Sequence, residues 1–99
     1  MMADLATLSL MWCQSDRYVE MTARQIALLG ILCDAPGPHR VRDLAKLLRV
    51  SKPVITRAVN RLGEHRAAVR LRDPNDKRDL EVRATDRGRE LRAALRGDA

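Results

Sequence analysis

Aromatic residues are nearly absent from this 99-residue chain, which holds one Trp, one Tyr and no Phe. Proteins that bind RNA or single-stranded DNA through base stacking need aromatic platforms. Both aromatics, Trp12 and Tyr18, lie in the first part of the chain, where acidic residues outnumber basic ones. The composition therefore argues against single-stranded nucleic acid as the partner.

Long apolar runs are also missing, because no stretch of 18 apolar residues occurs. No segment with helical spacing opposes an unbroken apolar face to a Lys/Arg-rich one, as a membrane-surface helix would. Residues 1–14 lack the cationic region of a secretory signal and carry Asp4 instead. We expect a cytoplasmic protein without a membrane partner.

Cysteine is scarce, and Cys13 and Cys33 form neither a CxxC pair nor a dense framework. This predicts buried thiols and no structural disulfide. With His39 and His65 the cysteines give a spacing that fits no common zinc pattern, so we predict no metal and no other cofactor. A Gly-rich phosphate loop, a nucleophile elbow and a His beside a Cys are all missing, which predicts that the chain is not an enzyme.

What the chain has in excess is positive charge, and the charge is unevenly placed. Residues 1–39 hold two Arg against four acids, whereas residues 40–99 hold seventeen Lys or Arg against nine acids. Sixteen of the nineteen cations are Arg, the side chain that binds phosphates and guanine edges in a bidentate manner. The second part of the chain is expected to face an anionic partner.

Hydrophobic periodicity predicts a mainly α-helical protein with a small β-hairpin, arranged as one domain over residues 1–99. An N-terminal helix is expected within 1–15, a helical core containing a helix-turn-helix within 22–66, a hairpin wing at 67–84 and a C-terminal helix at 85–96. Together these elements predict a winged helix-turn-helix.

The second helix of the helix-turn-helix carries the residues of greatest interest. Ser51 is expected to cap it, with Pro53 in its first turn. Its inward stripe consists of Ile55, Ala58, Val59 and Leu62. Its outward stripe consists of Lys52, Thr56, Arg57, Asn60 and Arg61. These donors and acceptors can read base edges or bind phosphates, so this segment has the composition of a recognition helix.

Beyond that helix, two alternating segments flank a polar turn and predict the hairpin. In the first, Val69 and Leu71 share one face and Arg70 and Arg72 the other. In the second, Leu80, Val82 and Ala84 lie opposite Glu81 and Arg83. The arginines either lie along a DNA backbone or keep an edge strand soluble, and the sequence supports both readings equally.

Several segments, in this order and at this spacing, resemble the MarR family of winged-helix regulators. They are Met21-Thr22-Ala23-Arg24-Gln25, Val41-Arg42-Asp43-Leu44-Ala45, Val50-Ser51, Thr56-Arg57, Asn60-Arg61-Leu62, Asp73-Pro74-Asn75-Asp76-Lys77-Arg78 and Thr85-Asp86-Arg87-Gly88. The Asp-Pro-x-Asp-x-Arg wing followed by Thr-x-x-Gly is far more specific than a helix-turn-helix pattern alone. The resemblance covers roughly residues 20 to 92.

The resemblance implies transcriptional control by a homodimer on double-stranded DNA. The recognition helix would occupy the major groove and the wing arginine, here Arg78, the adjacent minor groove, with Asp76 orienting it. Narrow minor grooves concentrate negative potential, which suits a guanidinium. The DNA-binding set expected from the residues and the resemblance is Ser51, Lys52, Pro53, Thr56, Arg57, Asn60, Arg61, Arg72, Asp76, Lys77 and Arg78.

The chain also departs from the family pattern. Family members usually carry long helices at both ends that build the dimer, whereas here only short ones are expected; the first helix with Leu91 and Leu95 could still pair two subunits. Arg66 stands where the family generally has Gly, which predicts either a strained left-handed cap or a different end to the helix. Arg40 stands where the family often has a capping Thr, which predicts a weaker helix start.

The short ends motivate an alternative of another class, a winged helix that acts as a protein-interaction module or as an antagonist pairing with another regulator. Such a module has no need of an acid-poor helix stripe or a cationic wing tip, so these two features favour DNA binding. The operator, the sign of regulation, any effector and the oligomeric state cannot be read from the sequence.

Overall fold

Five α-helices and a three-stranded antiparallel sheet form the part of the chain that the computed structural model describes, residues 4–72, 75 and 80–97. In chain order the elements are α1 (Leu5–Cys13), α2 (Ala23–Asp34), β1 (His39–Arg40), α3 (Val41–Leu48), α4 (Lys52–Glu64), β2 (Ala68–Arg72), β3 (Leu80–Ala84) and α5 (Asp86–Leu95). This architecture confirms the predicted fold class, a winged helix-turn-helix.

The core lies where α2, α4 and α5 meet the sheet. Its largest fully buried side chains are Leu28, Leu29, Ile55, Leu62, Val82 and Leu91. The predicted inward stripe of α4 is confirmed, because all four of its residues are buried. Burial of each such side chain contributes about 1.5–3 kcal/mol, so the core fixes the orientation of α4.

The start of α2 forms a capping box. The Gln25 backbone N–H donates to the Thr22 hydroxyl (3.1 Å), and the Thr22 N–H donates to the Gln25 side-chain oxygen (3.0 Å). The apolar side chains of α1 are only partly buried. Trp12 is buried and lies beside Tyr18, with 5.4 Å between ring centroids, but Leu8 is half-buried and Leu5 is exposed.

The sheet has a strand order of β1-β3-β2, so it contains one strand more than the predicted hairpin. The added strand, β1, has two residues, with His39 paired to Val82 and Arg40 paired to Glu81. A two-residue strand shows no alternation, which explains why the sequence does not reveal it. It places the start of α3 beside Glu81 of β3.

The Thr-x-x-Gly motif ties α5 to the junction between α4 and β2. The Thr85 hydroxyl donates to the Arg66 carbonyl (2.6 Å) and accepts from the Gly88 N–H (2.9 Å), which caps α5. The Thr85 N–H donates to the Ala67 carbonyl (3.0 Å). The end of α4 is therefore held directly by the start of α5.

A second link joins α5 to the end of α2. Arg92 donates from Nε to both carboxylate oxygens of Asp34 (3.2 and 3.1 Å), and Arg96 donates to Oδ1 (2.7 Å). Arg92 is half-buried, whereas Arg96 is exposed. A pair 58 residues apart in the chain leaves no local signal in the sequence.

We predict that Asp34→Asn lowers the thermal stability and flattens its pH dependence. Hydrogen bonds from Arg92 hold the pKa of Asp34 below its ordinary value of 3.8. A lowered carboxyl pKa contributes stability above that value, which is lost as the pH falls through the folded-state pKa. The melting temperatures (Tm) of the wild type and the variant, measured against pH, are therefore expected to differ near neutrality and to converge in acid. A constant difference at all pH values would contradict the ion pair.

No helix in the described ranges is long and apolar enough to cross a membrane.

Candidate nucleic-acid interface

The outward stripe of α4 forms a continuous polar surface. Lys52, Arg57, Asn60 and Arg61 are exposed, as are Ser51 and Pro53 at the start of the helix. Thr56 differs from the other predicted members because it is half-buried and its hydroxyl donates to the Lys52 carbonyl within the helix (3.1 Å). Its hydroxyl can still accept a hydrogen bond, but its donor is already used.

Ser51 occupies the N-cap position of α4, but its side chain does not form the expected capping hydrogen bond. A capping hydroxyl accepts from the second or third N–H of the helix. The second residue is Pro53, which has no N–H, and the Val54 N–H donates to the backbone carbonyl of Ser51 (3.1 Å). The Ser51 hydroxyl therefore remains exposed and available to a partner.

Most of the described cations fall into a group with an ion pair and a group without one. Those paired with carboxylates are Arg17, Arg61, Arg83, Arg87, Arg89, Arg92 and Arg96. Within the described residues, those without an ion pair are Arg24, Lys46, Arg49, Lys52, Arg57, Arg66, Arg70 and Arg72. All the arginines of α5 are paired, whereas most unpaired cations lie between α3 and β2.

This division follows from the local sequence. Residues 44–63 contain five Lys or Arg and no Asp or Glu, so α4 has no carboxylate partner along most of its length. Among the described residues, Arg61 is the one cation of α4 that pairs with a carboxylate, that of Glu64, at 2.6 Å. Helix α5 contains Asp86 and Glu90 three residues from Arg89 and Arg87 respectively, the spacing at which helical side chains meet. Within the described residues, positive charge without a carboxylate partner is therefore concentrated on and beside α4.

The register of the wing decides which arginines share the side of α4. Paired residues of antiparallel strands point to the same face, and Arg70 pairs with Val82 while Arg72 pairs with Leu80. Because Val82 is fully buried against the helices, Arg70 and Arg72 lie on the helix-bearing face. Arg83 pairs with Val69 on the opposite face, where it donates to Glu81 (2.9 Å).

The same register leaves two apolar side chains exposed. Val69 and Leu71 lie on the outer face of the sheet, and 46% and 40% of their surfaces are exposed. The sequence alternation correctly predicts that they share a face. The tip of the wing, with Asp76, Lys77 and Arg78, lies outside the described residues.

Two helix ends adopt the left-handed conformation at arginine. Arg66 follows α4 with φ 62°, so the left-handed cap, one of the two expected outcomes at this position, is the one present. Arg49 closes α3 with φ 59° and ψ 45° and was not predicted. The sequence did contain a signal for it. Only Arg49 and Val50 separate Leu48, the last apolar position of α3, from Ser51 at the start of α4, and so short a turn requires the chain to reverse direction.

Two open clefts lie away from α4. One, of about 640 Å³, is bordered by the end of α2, β1 and β3 and includes Cys33, His39, Arg83 and Arg89. The other, of about 610 Å³, lies between α1 and α5. In the described part of the chain, no three His, Cys, Asp or Glu side chains converge to hold a metal.

The cysteines are not the buried pair expected. Cys13 is exposed and Cys33 is half-buried, both as free thiols. Burial raises the pKa of the Cys33 thiol, and the neighbouring Asp34 raises it further.

Comparison with known proteins agrees with this geometry. The family model described as MarR family matches residues 20–79, more than half of the chain. The chain belongs to the MarR family. The matched residues begin just before α2 and end just before β3, and so include the whole helix-turn-helix. No curated protein matches the chain in sequence.

Several solved structures share the fold. A transcriptional regulator of Thermotoga maritima, Tm0710, is 26% identical (TM-score 0.76), with 93% of this chain and 64% of that chain covered. RV1404 of Mycobacterium tuberculosis is 30% identical (TM-score 0.78), covering 94% and 61%. MepR of S. aureus, bound to an oligodeoxyribonucleotide, is 22% identical (TM-score 0.77), covering 93% and 67%. The chain thus spans less than two thirds of the length of Tm0710 and of RV1404.

Proposed function

We propose that this chain is a cytoplasmic, sequence-specific double-stranded DNA-binding regulator of transcription. The observation that carries the proposal is the group of cations on and beside α4 that have no ion pair within the described residues. Helix α4 itself contains one acid, Glu64, at its C-terminal end. An exposed cation without a carboxylate partner can bind a phosphate without first breaking an ion pair. The paired arginines of α5 lack this advantage.

The shape of α4 suits the major groove. Its 13 residues span about 20 Å, and the groove, about 12 Å wide, admits a single helix. Arg57 and Asn60 lie one turn apart on the exposed face. Arginine commonly reads guanine and asparagine commonly reads adenine. We assign these two side chains to bases, and Ser51, Lys52, Pro53, Thr56 and Arg61 to the surrounding contacts.

The wing supplies the second part of the docking model. Arg78 is assigned to the minor groove, with Asp76 and Lys77 beside it, on the resemblance of the wing segment to the family. Arg72 supports this assignment because it lies on the face of the sheet that carries α4 and has no carboxylate partner within the described residues. Binding of an oligodeoxyribonucleotide by MepR, which shares the fold, also supports DNA as the partner.

A homodimer is proposed through the N- and C-terminal helices, with the expected contact of the first helix kept and those of Leu91 and Leu95 given up. Leu91 is fully buried in the core of its own chain and Leu95 is half-buried. The exposed apolar residues are instead Leu5, Leu10 and Met11 on α1. Sedimentation equilibrium tests this: a dimer that Leu10→Ser disrupts supports the surface, whereas a monomer at all concentrations contradicts it.

Footprinting on genomic duplex fragments, including the region upstream of its own gene, tests the proposed function. The expected result is a short protected site. Unlabelled duplex of another sequence, single-stranded DNA and RNA are all expected to displace the protein from that site poorly. Absence of protection on every fragment would overturn the proposal. The exposed apolar face of α1 would then favour the alternative, a winged-helix protein-interaction module, which pull-down with a full-length regulator would test.

A further inference from the structure

The turn between α3 and α4 is closed by a strained arginine. Two hydrogen bonds close the helix, from the Arg49 N–H to the Lys46 carbonyl (3.2 Å) and from the Val50 N–H to the Ala45 carbonyl (3.0 Å). This capping geometry places Arg49 in the left-handed region at φ 59° and ψ 45°. Glycine adopts that conformation freely, whereas any residue with a Cβ is strained there.

Nothing within the described chain compensates for the strain. The Arg49 side chain is exposed and makes no hydrogen bond or ion pair with any described residue. Replacement by glycine would keep both capping hydrogen bonds and remove the strain. The fold alone therefore gives no reason for an arginine here, and a residue held in an unfavourable conformation is a reason to look for a role outside the fold.

The position of Arg49 indicates that role. It lies two residues before Ser51 and three before Lys52, at the end of α4 that carries the exposed serine. The surrounding residues 44–63 contain no acid. We propose that Arg49 binds a DNA backbone phosphate beside the first turn of α4. This inference rests on the proposed function and extends the interface beyond α4 and the wing.

Arg66 provides a matched control within the same chain. It too is an exposed left-handed arginine that ends a helix, and its side chain has no partner among the described residues. It lies beyond the opposite end of α4, where its carbonyl accepts from the Thr85 hydroxyl at the start of α5 (2.6 Å). We therefore expect Arg66 to lie outside the DNA contact surface.

The test compares Arg49→Gly and Arg66→Gly in thermal unfolding and in binding to a short mixed-sequence DNA duplex. A phosphate contact does not depend on sequence, so the operator is not needed. Both variants are expected to raise the Tm by about 2–6 °C, because both relieve the same strain. Only Arg49→Gly is expected to weaken binding, by about 5- to 10-fold, and to reduce the slope of log K against log salt by about one.

Two further variants separate charge from backbone flexibility. Arg49→Gln keeps the strain and loses the charge, so it is expected to match Arg49→Gly in affinity and salt slope. Arg49→Lys keeps the charge and is expected to restore most of the affinity. If Arg49→Gln binds as tightly as the wild type, the inference is overturned. If Arg57→Ala binds weakly in the same experiment, the proposed function still stands. If the wild type shows no salt-dependent duplex binding, the proposed function and this inference both fail.

Discussion

Replacing Gly88 by alanine is expected to lower the free energy of unfolding by about 3 kcal/mol, the upper part of the usual range for overpacking. A Cβ at position 88 would lie 2.2 Å from the Ala67 carbonyl oxygen, closer than real Cβ atoms come to any neighbour. The obstacle is backbone and cannot rotate away. That carbonyl also accepts from the Thr85 N–H, so moving it would open the junction between α4 and α5.

Gly63→Ala is the control on the other side of the same junction. A Cβ at position 63 would make ordinary contact, 3.7 Å from the Ala68 carbonyl oxygen. Alanine within a helix is favoured over glycine by about 1 kcal/mol, so this variant is expected to be as stable as the wild type or more so. Urea unfolding measures both changes. Equal stability of Gly88→Ala and wild type would show that the close approach at Ala67 does not exist.

The second large effect is expected on DNA binding, from Arg57→Ala. Arg57 is exposed on the middle of α4 and has no carboxylate partner within the described residues. Loss of an arginine that contacts a base costs about 1–3 kcal/mol, a weakening of about 5- to 150-fold. The weakening is expected to be larger on the protected site than on an unrelated duplex. Fluorescence anisotropy with both duplexes measures the difference.

Arg89→Ala is the matched control for this measurement. Arg89 is also an exposed helical arginine, but it donates to Asp86 at 3.1 Å and lies on α5. Both variants remove one positive charge, so a long-range charge effect would weaken binding equally. The docking model instead predicts near wild-type affinity for Arg89→Ala. Equal losses from the two variants would contradict a specific role for α4.

The sequence predicts those parts of the fold that depend on local chemistry. The capping box of Thr22 and Gln25, the cap at Thr85 and the inward stripe of α4 each depend on residues within a few positions of one another. The left-handed cap at Arg66 is predictable because glycine is the usual residue there. The candidate site follows the same rule, since its outward stripe is set by helical spacing alone.

Features that depend on distant residues are not predictable in this way. Alternation shows that Val69 and Leu71 share a face, but the pairing of Arg70 with Val82 decides that this face is the outer one. The ion pair between Asp34 and Arg92 joins α2 to α5 and leaves no local pattern. The missing cap at Ser51 is different, because its cause is local. Pro53 has no N–H to donate to the Ser51 hydroxyl, and this was visible in the sequence.

Salt titration of binding to the protected genomic fragment, with wild type and Arg78→Ala side by side, tests the central claim most directly. A protein that docks through α4 and the wing neutralises several phosphates, so the wild-type affinity is expected to fall steeply with salt. Arg78→Ala is expected to bind more weakly and with a shallower slope. Affinity that is indifferent both to salt and to Arg78 would contradict DNA docking through this face.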